Sequence, residues 1–348
     1  MILPHDPATL MCLMILSLVC LGSWANFYKL AGKWRFELFC FDFAFGLLAV
    51  ALILALTAGT LGFDGFNFHD DLMGAGKQQW LFGFLGAVIF NFANMLLIAA
   101  ISVAGIALTF PVGFGVAFIV GSAISYATGP GVNPAFLFGG CALLALAAIL
   151  DCSAFSRLGV LQHENQARAG SAKSTRRPSS MQGIVLAMIG GTLMGTSSPL
   201  LAKAQVPEIG LGPYSLMAIF GMGVLFSTFV FNLFFMNLPI EGDPLEFTAY
   251  LKGSLRQHAM GAIGGGLWAL GATAALVAGT SKGDTHLPQT TFDVLSQSAP
   301  LLAALFGLLV WREYRGGDLR VKFSAVLMLL VFAGGVAAIS LASFYTRM

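Results

Sequence analysis

The chain has 348 residues, of which 57% are hydrophobic and 10% are charged, and its mean hydropathy is +0.83. Soluble domains carry about 25% charged residues, so this composition excludes a soluble protein and predicts one that resides in a lipid bilayer. The formal net charge is only +2, and we expect no nucleic-acid partner.

Ten stretches are long and apolar enough to cross a bilayer core, which takes about 20 residues per helix. Runs such as Leu47–Leu56 do not alternate between polar and apolar residues, and this favours helices over a β-barrel. We therefore predict an all-α polytopic membrane protein with ten transmembrane helices. In chain order the predicted spans are Thr9–Ala31, Phe36–Leu61, Trp80–Ser102, Ile106–Thr128, Pro134–Phe155, Gly183–Ala204, Tyr214–Asn237, Ala259–Gly279, Leu287–Trp311 and Val321–Phe344.

One polar segment, Ser156–Ser180, separates five spans from the next five and carries five basic residues against a single acidic one. If the helices cross in turn, fourteen of the 18 Lys and Arg residues lie on the side of this segment. The positive-inside rule assigns that side to the cytoplasm. We predict a multi-pass protein of the inner (plasma) membrane with both termini outside. Its regions are a first five-helix repeat at 1–155, a cytoplasmic basic linker at 156–182 and a second repeat at 183–348.

Short motifs recur at corresponding places in the two halves. Ser23–Lys29 at the end of span 1 has the same Ser-to-Lys interval as Ser197–Lys203 at the end of span 6. A Gly-x-x-Gly pair that begins at Gly83 in span 3 matches one that begins at Gly261 in span 8. Because an odd number of helices per half reverses the orientation of the second half, the motifs predict two inverted repeats. This arrangement is common in secondary transporters.

Polar groups at membrane depth normally face a cavity or a partner helix, because an unpaired one costs several kcal/mol. Asp293 in span 9 shares a helix face with Gln297 and Pro300, and the proline loosens the backbone beside them. A carboxylate there can bind and release a proton as its surroundings alternate between wet and dry. Asp293 is therefore the candidate proton-coupling residue, and the alternative is that it is solvated near the outer surface.

Other polar signals are weaker. Asp42, six residues into span 2, is interpreted as interfacial and paired with Lys33 or Arg35, although it stays an alternative titrating group. His69–Asp71 is interpreted as part of a solvated outer loop rather than a metal site. The five cysteines have no CxxC spacing, and the chain contains no Walker motif. We expect no catalytic residue, metal or cofactor.

Uncharged polar and aromatic side chains form a second candidate set. Amides supply donors and acceptors for a ligand with C=O and N–H or hydroxyl groups, and Trp rings inside the spans can stack on a sugar or a heterocycle. The alternative role of the small polar residues is hydrogen bonding between helices. The predicted substrate-binding residues are Trp24, Asn26, Asn91, Asn94, Ser197, Ser198, Trp268 and Gln297.

Short segments over nearly the whole chain carry a family resemblance: Leu18–Trp24, Phe39–Phe43, Leu47–Leu52, Asn94, Gly105–Thr109, Gly121–Ser122, Ser198–Pro199, Ala249–Leu251, Gly266–Trp268 and Phe306–Arg315. They resemble the ureide permeases of the drug/metabolite transporter superfamily. The resemblance implies ten helices in two inverted repeats and proton-coupled uptake of ureides or nucleobases. It also implies a central cavity lined by helices one, three, four, six, eight and nine, and it adds Thr109 to the substrate-binding residues.

One position departs from this pattern. Ureide-type members carry an acidic residue directly after the threonine of helix four, whereas this chain has Phe110 followed by Pro111. Bacterial glucose/ribose porters of the same superfamily tend to have a proline there. A monosaccharide is therefore the alternative substrate.

Together these patterns predict a secondary active transporter, not an enzyme, that works by alternating access. Its partners would be a small-molecule substrate, the lipid bilayer and coupling protons, and the protein would be a monomer or a homodimer. Two further functions stay open: export of amphipathic compounds, and a membrane enzyme or sensor that transports nothing.

Overall fold

The structure is a computed structural model that describes residues 1–62, 64–128, 132–168, 180–206, 208–280 and 289–345, without the side chains of 166–168, 180, 289–290, 292–293 and 343–344. All regular secondary structure in these residues is helical. The α-helices in chain order are α1 (Pro7–Ser23), α2 (Ala25–Leu30), α3 (Phe36–Leu56), α4 (Ala58–Leu61), α5 (Phe68–Gly74), α6 (Lys77–Ala104), α7 (Ile106–Thr128), α8 (Pro134–Arg168), α9 (Ser180–Ala204), α10 (Pro213–Asn237), α11 (Thr248–Leu251), α12 (Leu255–Thr280), α13 (Gln289–Gln297), α14 (Ala299–Leu305) and α15 (Leu319–Tyr345). A π-helical turn, Phe306–Val310, follows α14.

Within the described residues, nine helical stretches are long and apolar enough to cross a membrane. They correspond to predicted spans 1 to 8 and 10, so the all-α polytopic class is confirmed. The predicted ninth span, Leu287–Trp311, is different, because α13 ends at Gln297 and α14 begins at Ala299. Only the shorter stretch Val294–Val310 is apolar. Pro300 has no N–H to continue the backbone ladder at this break, and ten full-length spans are not confirmed.

Helix α8 extends well beyond the predicted end of span 5, into the segment that the sequence assigned to the linker. On this extension Arg157 donates to Asp318 Oδ2, from Nε at 2.9 Å and from Nη2 at 2.5 Å. The Asp318 Oδ1 atom caps α15 by accepting from the Val321 amide at 3.0 Å. The Arg157 guanidinium holds the pKa of Asp318 below its usual value. Three linker cations lie outside the described residues: Lys173, Arg176 and Arg177.

The chain divides into two compact units that do not follow the predicted halves. Unit 1 contains Met1–Met95 and Thr196–Ala299, and unit 2 contains Leu96–Gly195 and Pro300–Met348. Unit 1 therefore holds predicted spans 1, 2, 7 and 8, and unit 2 holds spans 4, 5 and 10, while spans 3, 6 and 9 are divided. Each unit is built from both halves of the sequence.

In unit 1, glycines allow α3 and α12 to approach backbone to backbone. A Cβ at Gly265 of α12 would overlap the backbone of Phe43, and a Cβ at Gly46 of α3 would overlap the backbone of Ala262. A Cβ at Gly261 would overlap the Cβ of Asp42. Small residues of this kind are how membrane helices come into close contact without a hydrophobic driving force between them.

The two Gly-x-x-Gly pairs noted in the sequence have corresponding neighbours in unit 1. The first glycine of each pair packs against the second span of the opposite half: Gly83 faces Leu216 of α10, and Gly261 faces Asp42 of α3. The second glycine of each pair packs against the first span of the opposite half: Gly86 faces Leu201 of α9, and Gly264 faces Phe27 of α2. In the predicted repeat, α10 corresponds to α3, and α9 corresponds to α1 with α2.

In unit 2 a carboxylate joins two segments that are distant in sequence. Gly105 separates α6 from α7 with a φ of +91°, a conformation that favours glycine. The Glu313 carboxylate accepts from the first two amides of α7, from Ile106 at 3.0 Å and from Ala107 at 2.6 Å. A negative charge is favourable at a helix N-terminus, so Glu313 acts as the cap of α7.

Candidate functional site

The amide of Asn94 on α6 is the feature of unit 1 that points most clearly to a ligand. The residue is 2% exposed, and its Nδ2 atom has no hydrogen-bond partner among the described residues. A buried donor without a partner costs about 1–3 kcal/mol, and such groups in native proteins are uncommon. The Asn94 amide is therefore available for an acceptor that a ligand would bring.

Asn91, one turn earlier on the same helix, is fully used within the protein. Its Nδ2 atom donates to the Val224 carbonyl at 3.1 Å and to the hydroxyls of Ser227 and Thr228 at 2.9 Å each. All three acceptors belong to α10. Hydrogen bonding between helices is thus sufficient to explain Asn91, and we leave it out of the binding surface proposed below.

An aromatic cluster lies next to Asn94 on α6. Phe90 is one helical turn before Asn94, so the two side chains share a face. The Phe90 ring contacts Trp268 of α12 at 4.6 Å and Phe220 of α10 at 4.9 Å between centroids. Trp268 in turn stacks on Phe220 at 5.3 Å and 11°. The half-buried Trp268 indole therefore packs against two phenylalanines, and one of them is a single helical turn from Asn94.

Trp24 lies at the break between α1 and α2 and is buried. Its ring packs on Phe43 of α3 at 5.2 Å. A Cβ added at Gly264 of α12 would lie 3.5 Å from the Trp24 carbonyl oxygen, and Trp268 is one turn further along that helix. The structure thus places the two predicted tryptophans on neighbouring helices of unit 1.

The other predicted residues of unit 1 have varied surroundings. The Asn26 Nδ2 atom donates to the Ser23 carbonyl at 2.9 Å, which occupies part of its amide locally. On α9, Ser197 is buried whereas Ser198 is exposed. Gln297 is the last residue of α13 and is half-buried. None of these contacts tests a substrate-binding role.

Two predicted residues remain, Thr109 and Asp293. Thr109 belongs to α7 in unit 2, where it is buried and its Oγ1 atom has no partner within the described part of the chain. The backbone of Asp293 is in α13 of unit 1, but its side chain lies outside the described residues. The proton-coupling role predicted for Asp293 therefore stays a prediction.

Asp42 forms a polar cluster in unit 1 with partners from three segments. Its Oδ1 atom accepts from the Tyr250 hydroxyl at 2.6 Å and lies 2.9 Å from His258 Nδ1. Its Oδ2 atom accepts from the Trp34 indole N–H at 3.2 Å. Burial and the Asp42 carboxylate raise the pKa of Tyr250, so this phenol keeps its proton and acts as a donor.

The predicted pairing of Asp42 with Lys33 or Arg35 is wrong, since its partners are Trp34, Tyr250 and His258. Asp42 is buried, because Gly261 has no side chain to keep α12 away from it. Arg35 instead pairs with the buried Glu37, with Nε to Oε2 at 3.2 Å and Nη2 to Oε1 at 2.5 Å. Sequence reasoning singled out neither Glu37 nor His258.

Sequence reasoning also missed Asp151 on α8 of unit 2. This aspartate is completely buried; its Oδ1 atom accepts from the Tyr314 hydroxyl at 2.5 Å, and its Oδ2 atom has no partner in the described residues. Burial and the neighbouring carboxyl raise the pKa of Tyr314 well above its usual value, which keeps the phenol a donor. The signal was present in the sequence, since a carboxylate deep inside an apolar span is by default a candidate functional group.

A cavity of about 290 Å³ lies among α1, α3, α10 and α12 of unit 1 and is lined almost entirely by apolar side chains. Its hydroxyl groups are already used within the protein. Tyr214 donates to the Ile2 carbonyl at 2.9 Å, Thr273 to the Ala269 carbonyl at 2.8 Å, and Thr9 to Asp6. None of the predicted substrate-binding residues lines this cavity, which offers apolar contact rather than hydrogen bonds.

The segment His69–Asp71 has a structural part in unit 1. It belongs to α5, and the Asp71 carboxylate accepts from the Gly212 amide at 2.9 Å, directly before α10. His69 and Asp70 are exposed and 3.5 Å apart. In the part of the chain that the structure describes, no three His, Cys, Asp or Glu side chains form a group that could hold a metal ion.

Comparison with known proteins supports a transporter. No family model matches the chain. The chain is 22% identical over 389 aligned positions to "Ureide permease 1" of Arabidopsis thaliana, covering 95% of this chain and 96% of the plant protein. A solved structure titled "Crystal structure of protein" matches with a TM-score of 0.50 and 16% identity over 97% of this chain and 99% of that one, which is a likeness of fold. The weak similarity to a permease over nearly the full length supports a membrane transporter of small metabolites.

The short segments that carry the family resemblance meet each other in the structure. Within unit 1, Phe39–Phe43 contacts Ala249–Leu251 through the hydrogen bond of Tyr250 to Asp42. Within unit 2, Gly105–Thr109 contacts Phe306–Arg315 through the Glu313 cap. In each unit, therefore, a polar side chain of one such segment is hydrogen-bonded to another segment.

Proposed function

We propose that this chain is a secondary active transporter that moves a ureide or a nucleobase-like heterocycle across the inner membrane by alternating access, in proton-coupled uptake. The observation that carries the proposal is the buried Asn94 amide, whose Nδ2 atom has no partner among the described residues and which lies one helical turn from Phe90, a ring that packs on Trp268. The full-length similarity to a plant ureide permease supports the same class.

The chemistry of the ligand follows from these two groups. Nucleobases and the hydantoin ring of a cyclic ureide such as allantoin have a nearly planar ring, so one ring face can stack on the Trp268 indole. Their ring carbonyls are acceptors that can take the N–H of Asn94, which has no other partner among the described residues. Binding would satisfy a donor whose burial costs about 1–3 kcal/mol in the empty protein. A ligand without an acceptor in the plane of its ring would leave the Asn94 N–H unpaired, and the free-energy cost of burying this donor would remain.

The proposed architecture is the pair of inverted repeats at 1–155 and 183–348, joined by the cytoplasmic segment 156–182, with both termini outside. The matching neighbours of the two Gly-x-x-Gly pairs support this arrangement. Interleaving of the two halves in each unit is also what a swapped, pseudo-symmetric packing would produce. The orientation rests on the distribution of Lys and Arg.

Export of amphipathic compounds is a second candidate function, and the apolar cavity of unit 1 favours it. Because the hydroxyls around that cavity are engaged within the protein, its surface suits a hydrocarbon chain better than a polar heterocycle. The two functions predict different ligands and different residues, so one binding experiment separates them.

The test is thermal stabilisation of the purified protein by three groups of compounds. Allantoin, uracil and hypoxanthine represent the heterocycles, ribose and glucose the sugars, and a lipophilic cation the amphipaths. At a concentration of 100 Kd, a ligand stabilises the folded state by about 2.7 kcal/mol. We expect a heterocycle to raise the Tm of the wild type and of Asn237→Leu, a matched exposed asparagine, but not of Asn94→Leu. Stabilisation by a sugar alone or by the amphipath alone would reject the heterocycle in favour of that alternative.

A further inference from the structure

The cluster around Asp42 has no role in the substrate surface described above, yet it brings together the two side chains best suited to exchange a proton. The carboxylate comes from α3 and the imidazole of His258 from α12, with Oδ1 and Nδ1 2.9 Å apart. Two further donors, the Tyr250 hydroxyl and the Trp34 indole, hold the carboxylate in place. All of these groups belong to unit 1.

We propose that Asp42 and His258 together form the site that binds the coupling proton. This inference rests on the proposed transport function. Imidazole is the side chain whose ordinary titration range covers physiological pH, and a carboxylate at hydrogen-bond distance can share its proton. One proton enters from water and leaves to water, and no other bond is made or broken.

Among the described residues, His258 is the basic side chain that is hydrogen-bonded to Asp42, because the nearby Arg35 is bound to other groups. Arg35 is occupied by Glu37 and by the Asp243 carbonyl, to which its Nη1 donates at 2.5 Å. Among the described residues, the other titratable groups that face Asp42 are the Tyr250 phenol of α11 and the buried Cys40 thiol of α3. Tyr250 donates its proton in a hydrogen bond to Asp42, so the carboxylate and the imidazole are the two groups left to share the coupling proton in this proposal.

The two side chains of the pair differ in exposure. The His258 side chain is 28% exposed, whereas the Asp42 side chain is 5% exposed. His258 lies in the first turn of α12, directly after the segment that the Lys and Arg distribution predicts to be cytoplasmic. In uptake the coupling proton is released on that side, and the buried carboxylate can pass it to water through the more exposed imidazole.

The pair is also connected to the proposed substrate surface by a single helix. Asp42 touches α12 at Gly261, two helical turns before Trp268 on the same helix. A change in the charge of the pair alters how firmly the start of α12 is held to α3, and α12 carries that change towards the indole. The pair would thus act on substrate binding as a positioning element rather than by contact.

The test compares two transport modes of proteoliposomes with labelled uracil, allantoin or hypoxanthine. Accumulation driven by a pH gradient needs the coupling proton, whereas exchange of substrate at equal pH does not. In Asp42→Asn and His258→Gln we expect gradient-driven accumulation to fall by more than about tenfold while exchange is retained. His69→Gln, from an exposed His–Asp pair, should behave like the wild type. Gradient-driven accumulation that survives in both pair variants would overturn the proposal.

A second measurement needs no substrate and separates the two proposals. We expect the pH profile of the Tm to contain a component that the wild type and His69→Gln share and that is absent from both pair variants. His258→Gln keeps a donor for Asp42 and should therefore fold even if Asp42→Asn does not. If the wild type transports no heterocycle, the proposed function fails, and the pH profiles still decide whether the pair titrates. Identical profiles in wild type and His258→Gln would reject the site.

Discussion

Asp42 in unit 1 and Asp151 in unit 2 are both buried aspartates on apolar helices, but their partners differ. Both oxygens of Asp42 are hydrogen-bonded, and one of its three partners is a histidine. Asp151 has the Tyr314 hydroxyl on one oxygen, and its other oxygen has no partner among the described residues. Burial is therefore common to the two sites, and the number and kind of donors distinguishes them.

This difference shows why burial alone does not identify a proton-coupling residue. A buried carboxylate is stable as an anion only where several donors replace the water it has lost. Asp42 has such a set, with a partially exposed imidazole that can exchange protons with water. With a single donor, we expect Asp151 to be a neutral acid that binds Tyr314 throughout the transport cycle. We propose that Asp42 switches its protonation state and that Asp151 has a structural role.

The largest expected effect is on stability, when either aspartate is truncated. Asp42→Ala leaves a histidine, a tyrosine and an indole N–H without their acceptor, and we expect a loss of about 3–5 kcal/mol in the free energy of unfolding. Asp151→Ala leaves only the Tyr314 hydroxyl, and the expected loss is about 1–3 kcal/mol. Denaturant unfolding of the two variants in the same detergent measures both. Equal losses would remove the distinction between the two sites.

The same contrast between a satisfied and an unsatisfied group occurs in Asn91 and Asn94. Asn91→Leu removes three hydrogen bonds to α10 and should lower the free energy of unfolding by about 1–3 kcal/mol. Asn94→Leu removes an amide whose Nδ2 has no partner in the described residues, and the apoprotein should be unchanged or slightly more stable. Only the second variant should lose ligand binding. A destabilised Asn94→Leu apoprotein would indicate that this amide has a structural role.

The smallest effect on stability is expected at Asp318, a carboxylate that is partly exposed, in contrast to the buried Asp42 and Asp151. Because Arg157 lowers its folded-state pKa, Asp318 contributes stability that is fully present above the ordinary aspartate pKa of about 3.9. This contribution is lost as pH falls through the lowered folded-state value. Asp318→Asn should therefore flatten the stability profile below about pH 4 and leave it unchanged at pH 7 apart from a small constant offset. A changed slope near pH 7 would contradict this assignment.

Membrane class and eight of the ten predicted spans could be read from the sequence with bounds close to those observed, because hydropathy is a local property. Span 5 was placed too short, since α8 continues past Phe155 into polar sequence. Span 9 was drawn through Pro300, although a proline that follows a run of polar residues is a signal for the break at Ser298. The packing of α12 on α3 depends on glycines whose partners are distant in sequence, and no local pattern indicates it.

The polar sites were harder to predict for the same reason. Two of the three partners of Asp42 are 208 and 216 residues away in sequence, whereas sequence proximity favours the nearby cations Lys33 and Arg35. Asn91 and Asn94 look alike in the sequence, and only the hydroxyls of α10 distinguish the satisfied amide from the unsatisfied one. Asp151, in contrast, could have been found, because an aspartate in the middle of an apolar span is visible without a structure.

The most direct test of the account is isotope exchange by proteoliposomes that contain the purified wild type or Asn94→Leu. The account predicts that the wild type exchanges labelled uracil, allantoin or hypoxanthine across the membrane, and that the folded Asn94→Leu variant does not. If a folded wild type exchanges none of these heterocycles, or if Asn94→Leu exchanges them at the wild-type rate, the proposed site and its function are contradicted.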